Sequence, residues 1–321
     1  MTRDALVVVF GGSGFIGRYA AQALMRAGLR VRFAERDPRR AAGLKALGAL
    51  GQSQFVAADL SRPDTVARAL AGADAAVNLV GTFGKAMEAI HVDGARAVAE
   101  AAASAGAGAL VHVSAIGADP SGAALYAQTK GRGEEAVRAA FPTATILRPS
   151  VVFGAEDQFL NRFAGLIARA PVVPVLRAGT RFQPVFVGDV ADAIALAVTE
   201  PARFGGQMYE LGGPDTPTMA ELLRWIAAET NRAGRFVELP DFAGSLLASA
   251  GFLPGAPITR DQWLMLQKDN VVAPGAQGLA AFDIAPTPMA TVAPAWLVRF
   301  RRQGRFARPA PERVGSTRDA S

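Results

Sequence analysis

The chain opens on an unbroken apolar run over residues 5–10, which passes into Gly11-Gly12-Ser13-Gly14-Phe15-Ile16-Gly17 and an amphipathic stretch over 15–27 that stops at Gly28. A continuous apolar run marks a strand buried on both faces, and apolar positions three and four apart mark a helix packed on one side. The same alternation predicts strands over 31–35, 54–57, 75–79, 109–114 and 144–148. Between them it predicts helices over 63–70, 85–105 and 125–140. Strands alternating with helices make a parallel sheet covered on both faces.

Beyond Pro149 the pattern loosens. It predicts a helix over 159–168, strands over 172–176 and 182–187, and a helix over 190–198 with Asp189 as N-cap and Asp192 three positions on. A strand over 207–211, a helix over 219–231 and a strand over 236–239 follow. The expected fold is α/β: a doubly wound parallel sheet of the Rossmann type with a smaller C-terminal α/β lobe. Its expected division is 1–150 for the dinucleotide-binding domain, with segments near 182–212 returning to it, and 151–306 for the lobe. Residues 307–321, rich in Pro, Arg, Gly and Ser, are expected to be disordered.

Composition narrows the chemistry. Half of the 321 residues are hydrophobic and 19% are charged, enough for a sizeable core. With no Cys, disulfides and thiolate chemistry are excluded, and His91 and His112 are not spaced as a metal pair, so no metal site is expected. The net charge of +6 is spread along the chain without a nucleic-acid motif, so no nucleic-acid partner is expected. The first strand begins so near Met1 that no targeting segment is expected, and no apolar run approaches the ~20 residues of a membrane span. The expectation is an intracellular chain without a transmembrane segment.

A strand, a Gly-x-Gly-x-x-Gly loop and a helix together form the pyrophosphate cradle of a dinucleotide site. The next strand ends in Glu35-Arg36-Asp37, about 20 residues on, where selectivity is decided. A carboxylate there suits the ribose 2′-hydroxyl of NADH, and an Arg suits the 2′-phosphate of NADPH. Arg36, Arg39 and Arg40 favour NADPH over NADH, although Arg39 and Arg40 would equally serve to solvate the next helix. Tyr126 and Lys130, at i and i+4, share a helix face. A neighbouring ammonium is expected to lower the phenol's pKa toward that of a general acid/base. Ser114, at a strand's carboxyl end, is placed to bond a substrate oxygen. Tyr126, Lys130 and Ser114 are therefore the candidate catalytic residues.

With these motifs in order, the chain resembles the short-chain dehydrogenase/reductase superfamily, in its extended or atypical branch, over about residues 5–240. The resemblance implies that Gly11, Gly14 and Gly17, with Gly12, Ser13, Phe15 and Ile16, form the phosphate loop. It implies that Asp59 and Leu60 flank the adenine, and that Leu79, Val80 and Gly81 pass behind the cofactor. Tyr126 and Lys130 would contact the nicotinamide ribose, and the segment from Arg148 and Pro149 to Gly154 would lie beside the nicotinamide. One departure is His91 before Val92-Asp93-Gly94, where the extended branch carries an Asn that relays protons; this puts turnover in question.

A narrower resemblance rests on Phe141–Phe163, Arg181–Val190, Tyr209–Pro214, Thr259-Arg260-Asp261-Gln262 and Lys268-Asp269-Asn270-Val271-Val272. Over about residues 5–275 the chain is similar to the NADPH-binding accessory subunits of respiratory complex I and their bacterial relatives. That implies a structural NADPH, partners among complex I subunits near the quinone site, and a peripheral place on the cytoplasmic face of the bacterial inner membrane. Segment 259–272 would belong to the docking lobe. Phe242, Leu246, Leu247 and Ala250, then Phe252, Leu253 and Pro254, offer either a docking face or ordinary core. Trp296, Phe300 and Phe306 among Arg299, Arg301, Arg302, Arg305 and Arg308 suit anionic headgroups, an acidic surface, or a solvated tail. The alternative is a free cytoplasmic NAD(P)-dependent reductase, epimerase or dehydratase acting on a small molecule through Tyr126, Lys130 and Ser114. A nucleotide-sensing regulator of the atypical branch is ranked last, because such chains usually lack the Tyr-x-x-x-Lys pair.

Overall fold

A computed structural model describes residues 1, 4–249, 251 and 258–302, with Arg40 described by its backbone alone. The first half alternates as its pattern requires. Strand β1 (Leu6–Phe10) leads to α1 (Phe15–Arg26), β2 (Arg30–Glu35) to a 3-10 helix (Pro38–Leu47), and β3 (Ser53–Ala57) to α2 (Pro63–Leu70). Then come β4 (Ala75–Asn78), α3 (Ala95–Ser104), β5 (Ala109–Val113), α4 (Leu125–Ala140) and β6 (Thr145–Pro149).

The second half holds β7 (Val152–Phe153), α5 (Leu160–Arg169), β8 (Val172–Leu176), β9 (Val185–Phe186), α6 (Val187–Thr199), α7 (Pro201–Phe204) and β10 (Met208–Leu211). It continues with α8 (Met219–Glu229), β11 (Arg235–Leu239), α9 (Asp241–Ser249) and α10 (Arg260–Leu266).

Seven parallel strands form the main sheet in the order β10-β6-β5-β4-β1-β2-β3. This is a Rossmann fold. The order reverses between β1 and β4, so a crevice opens at the carboxyl ends of those two strands. Alternate residues of each strand feed two cores. Val7 and Val9 pack with Ala20 and Leu24 of α1 and Ile194 of α6, while Val8 and Phe10 pack with Val66 of α2 and Val98 of α3. A third core lies outside this sheet, between α5, α8 and β8, with Leu160, Val173, Leu222 and Leu297 at its centre.

The structure corrects several local expectations. The helix over 85–105 runs without a break from residue 87 to Ser104, but its Ala89–Gly94 stretch is π-helical and carries His91 into the interior just before α3. Helix α6 starts at Val187, so Asp189 lies inside its first turn, where its carboxylate accepts the Thr287 N–H and O–H at 2.7 and 2.8 Å. The strand over 182–187 shrinks to β9 and a single bridge from Phe182 to Asn270. Trp296 and Phe300 pack against the third core, and Arg301 Nε donates to the Glu229 carbonyl at 2.9 Å. Phe242 and Leu246 on α9 are exposed. The expectations for Ala250, Phe252, Leu253, Pro254, Arg305, Phe306, Arg308 and the 307–321 tail lie outside the described residues.

Candidate functional site

The glycine loop sits at the mouth of the crevice. Gly11 has φ +79°, a left-handed conformation that disfavours a side chain, and its carbonyl accepts the Gly14 N–H at 3.1 Å. A Cβ on Gly17 would run into the Gly11 carbonyl and the Gly12 backbone, and one on Gly12 would come within 2.6 Å of the Phe33 ring. Gly14 caps α1 without a side-chain acceptor, and no acid lies in the helix's first turn. That leaves positive N–H groups facing outward from Phe15 and Ile16, an arrangement suited to an anion.

At the tip of β2 the Glu35 carboxylate accepts the Ser13 N–H at 2.6 Å. Arg36 is exposed, and Arg39 is spent on Asp37 at 2.9 Å. The side chain of Arg40 lies outside the described residues. Asp59 accepts from the Ser61 N–H and hydroxyl, bonds that hold its carboxyl below the usual range, and Leu60 fills the space beside Gly94. Val80, following Leu79, packs where a Cβ on Gly11 would sit, and its N–H is held by Asn78 Oδ1 at 3.1 Å. The structure thus brings the loop, Arg36, Asp59 and the segment from Leu79 to Gly81 to the carboxyl ends of adjoining strands.

Ser114, directly after β5, is buried with its Oγ unpartnered. The Tyr126 ring lies between Phe83, stacked at 4.8 Å, and His91, edge-on at 5.5 Å. Lys130 is buried, and its Nζ donates to the Val113 carbonyl at 2.8 Å. Burial pushes the ammonium down to about 8. The expected lowering of the phenol is overturned: burial first, and then the Asp261 carboxylate, push Tyr126 up to about 12. The shared helix face is real, but the cation works on a backbone carbonyl and the phenol has an anion for its charged neighbour.

His91 is a strut. Its Nε2 accepts the Thr82 N–H at 3.0 Å, so Nδ1 carries the proton and donates to Thr129 Oγ1 at 2.9 Å. Burial, with the Lys130 charge second, drives its pKa down to about 4, so it is neutral. Both nitrogens are committed to protein partners, which leaves none to relay a proton. Behind it, Asn78 Nδ2 lies 3.3 Å from His112 Nδ1, and His112 Nε2 is buried without a partner.

Sequence reasoning did not find what holds α4 in place. Its N-cap, Ala124, offers no side-chain acceptor. Instead Asp261 accepts the Leu125 N–H at 2.6 Å and the Tyr126 N–H at 3.2 Å. Asn270 Oδ1 accepts the Ser150 hydroxyl at 2.6 Å and the Val151 N–H at 3.0 Å, just past Pro149. The one local signal was Thr-x-x-Gln at 259–262, a capping box that forms at the start of α10. Among the described residues no group of acids and histidines could hold a metal ion, and no helix is long and apolar enough to cross a membrane.

Comparison with known proteins agrees with this fold. The model of the NAD dependent epimerase/dehydratase family matches residues 7–212. The chain is 32% identical to the mitochondrial NADH dehydrogenase (ubiquinone) 1 alpha subcomplex subunit 9 of Arabidopsis thaliana, over 93% of this chain and 79% of that one. It is also 32% identical to a ceramide reductase of Caulobacter vibrioides, over 80% of this chain and 82% of the relative. Among solved structures, the NADPH-dependent quinone oxidoreductase of Escherichia coli complexed with NADPH superposes with a TM-score of 0.75 at 19% identity, covering 91% of this chain and 99% of that one. At that identity the likeness speaks for the fold.

Proposed function

The chain belongs to the NAD dependent epimerase/dehydratase family, and from that premise we propose that it is an NADPH-binding accessory subunit of a respiratory NADH:quinone oxidoreductase. What carries the reading is the reach of the likeness. The family model ends at residue 212, whereas identity to the Arabidopsis subunit spans 93% of the chain and so runs through segment 259–272. That segment is the one whose Asp261 and Asn270 bond into the crevice.

The residues fit a dinucleotide. The cradle that a Cβ on Gly17 would fill, the open N–H groups of α1 and the orphaned Ser114 Oγ are the features such a ligand needs. Gly11 to Gly17 would hold the pyrophosphate, Arg36 the 2′-phosphate, and Asp59 with Leu60 the adenine. Val80, Gly81, Tyr126, Lys130 and Pro149 would surround the nicotinamide half. Bound NADPH supplies a hydride donor where turnover occurs, and in this reading it supplies binding free energy instead, about 4 kcal/mol at a thousandfold excess over Kd. His91 with both nitrogens committed supports holding over turnover. The subunit would sit on the cytoplasmic face of the inner membrane, beside subunits near the quinone site.

Purification from gently solubilised membranes tests this. The expected result is comigration with NADH:quinone activity and about one equivalent of NADPH per chain. A chain that stays soluble alone, and oxidises NADPH with a small carbonyl compound, overturns it. That outcome would favour the second reading, a free reductase, for which the Caulobacter relative and the complete Ser114, Tyr126 and Lys130 set speak.

A further inference from the structure

The segment from Thr259 to Val272 adds no group to the glycine loop, yet its polar side chains bond into the Rossmann half at two places and into their own lobe at a third. Asp261 receives the first N–H groups of α4, Asn270 receives Ser150 and Val151, and Asp269 Oδ1 accepts the Arg181 N–H at 2.8 Å. The first of these is the consequential one. An α-helix leaves its first N–H groups unpaired, and α4 has neither a side-chain cap nor an acid in its first turn to meet them. Asp261, 135 residues further along the chain than Tyr126, supplies both at once.

Its own position is fixed. Thr259 Oγ1 accepts the Gln262 N–H at 3.2 Å and Gln262 Oε1 accepts the Thr259 N–H at 3.1 Å, so Asp261 stands in the first turn of a doubly capped helix. We propose that Asp261 is a positioning residue for Tyr126, through which the C-terminal lobe governs how the phenol is presented to the crevice. The proposal rests on the reading of Tyr126 as part of the nucleotide site and adds a regulation to it.

Three ionisable groups belong to the elements around the phenol. Asp261 approaches from α10, His91 from the π-helical turn and Lys130 from one turn further along α4. His91 is neutral, and Lys130, whose Nζ donates to the Val113 carbonyl, is brought down by burial to about 8, below the phenol. Asp261 alone adds a charge effect, strengthening the phenol's hold on its proton beyond what burial does. Phe83 and His91 pin the ring from two sides, so its height is set by the backbone of the first turn, where Asp261 is bonded. A lobe seated as in this structure keeps Tyr126 a protonated donor. A lobe displaced with its Asp261 would loosen the first turn of α4 and release the phenol's proton more readily.

The chain has three tyrosines, Tyr19, Tyr126 and Tyr209, so the full protein grown with 3-fluorotyrosine gives three fluorine resonances, and Tyr126→Phe assigns the one that matters. Fluorination also makes the phenol more acidic, which brings its midpoint down from the most alkaline range. In the nucleotide-free chain, Asp261→Asn and Asp261→Ser each keep an acceptor and remove the charge. Both should lower the Tyr126 midpoint by about one pH unit, leave Tyr19 and Tyr209 unmoved, and be reversed by Asp261→Glu. A merely structural cap would alter melting and leave the midpoint where it was; that result in either folded variant overturns the proposal. Should neither fold, Gln262→Ala unlocks the capping box with the carboxylate retained, and an unmoved Tyr126 there has the same consequence. Because no nucleotide is present, failure to find NADPH in purified protein would sink the proposed function and leave this measurement standing.

Discussion

The Glu35 carboxylate, at the tip of β2, accepts the Ser13 N–H of the glycine loop at 2.6 Å. That bond turns one oxygen of the tip's acid toward the loop, and the next residue, Arg36, is exposed. A 2′-phosphate would gain the Arg36 guanidinium, whose charge also bears on the Asp59 carboxylate.

Arg36→Glu should therefore raise the Kd of NADPH by about tenfold or more, the worth of a charge-assisted hydrogen bond to phosphate, and change that of NADH by less than about threefold. Isothermal titration with both nucleotides decides it. Equal losses would discard the 2′-phosphate assignment.

The cradle itself can be closed by one methyl group. In Gly17→Ala the new Cβ meets the Gly11 carbonyl and Gly12 backbone, which can yield only by opening the loop. A melting loss of about 1–3 kcal/mol and nucleotide binding too weak to measure are expected. Gly43→Ala, where a Cβ meets nothing within 4 Å, is the matched control and should be neutral or slightly stabilising. Comparable damage from both would show that the loop is not a tight cradle.

The Rossmann half was legible because burial on both faces leaves its inner strands as apolar runs, as Leu6–Phe10 shows and Ala109–Val113 shows but for His112, and because glycine chemistry is local. The segments that failed to follow their pattern are those whose conformation is set from a distance. His91 carries the helical spacing of its neighbours, yet it is buried, bonded to Thr82 and Thr129, in a stretch where the helix widens to π. Asp189 has the composition of an N-cap but serves Thr287 across the chain. The same limit hid the electrostatics of the site. Spacing places Lys130 near Tyr126, but no spacing rule shows that the ammonium bonds to Val113 or that Asp261 lies at the phenol's helix end.

Burial of His91 makes stability depend on pH with a defined sign. Its folded pKa is lowered to about 4 from an unfolded value of 6.5, so the unfolded chain binds the extra proton first. The stabilisation is complete above about pH 6.5 and is lost as pH falls toward 4, by up to about 3 kcal/mol. His112, depressed in the same direction by burial, adds to the slope. Urea midpoints measured from pH 7.5 to 4.5 should fall steadily below 6.5, and His91→Gln should flatten part of that fall. A wild-type profile level across the window contradicts a neutral, committed imidazole.

The last prediction separates holding from turnover. Among the described residues none bonds the Tyr126 hydroxyl, so its removal in Tyr126→Phe leaves the ring between Phe83 and His91 and costs the fold little. If the nucleotide is structural, the variant loses at most one hydrogen bond to it, and NADPH affinity falls by no more than about fivefold. The assembled complex should then keep nearly all its NADH:quinone activity. A reductase that protonates its substrate through this phenol behaves differently, since deleting a general acid typically removes about 100-fold or more of the rate. The two outcomes differ by well over tenfold. Activity lost in a complex that has assembled and still carries NADPH would mean that Tyr126 works on a substrate, and the structural reading of the nucleotide would fall with it.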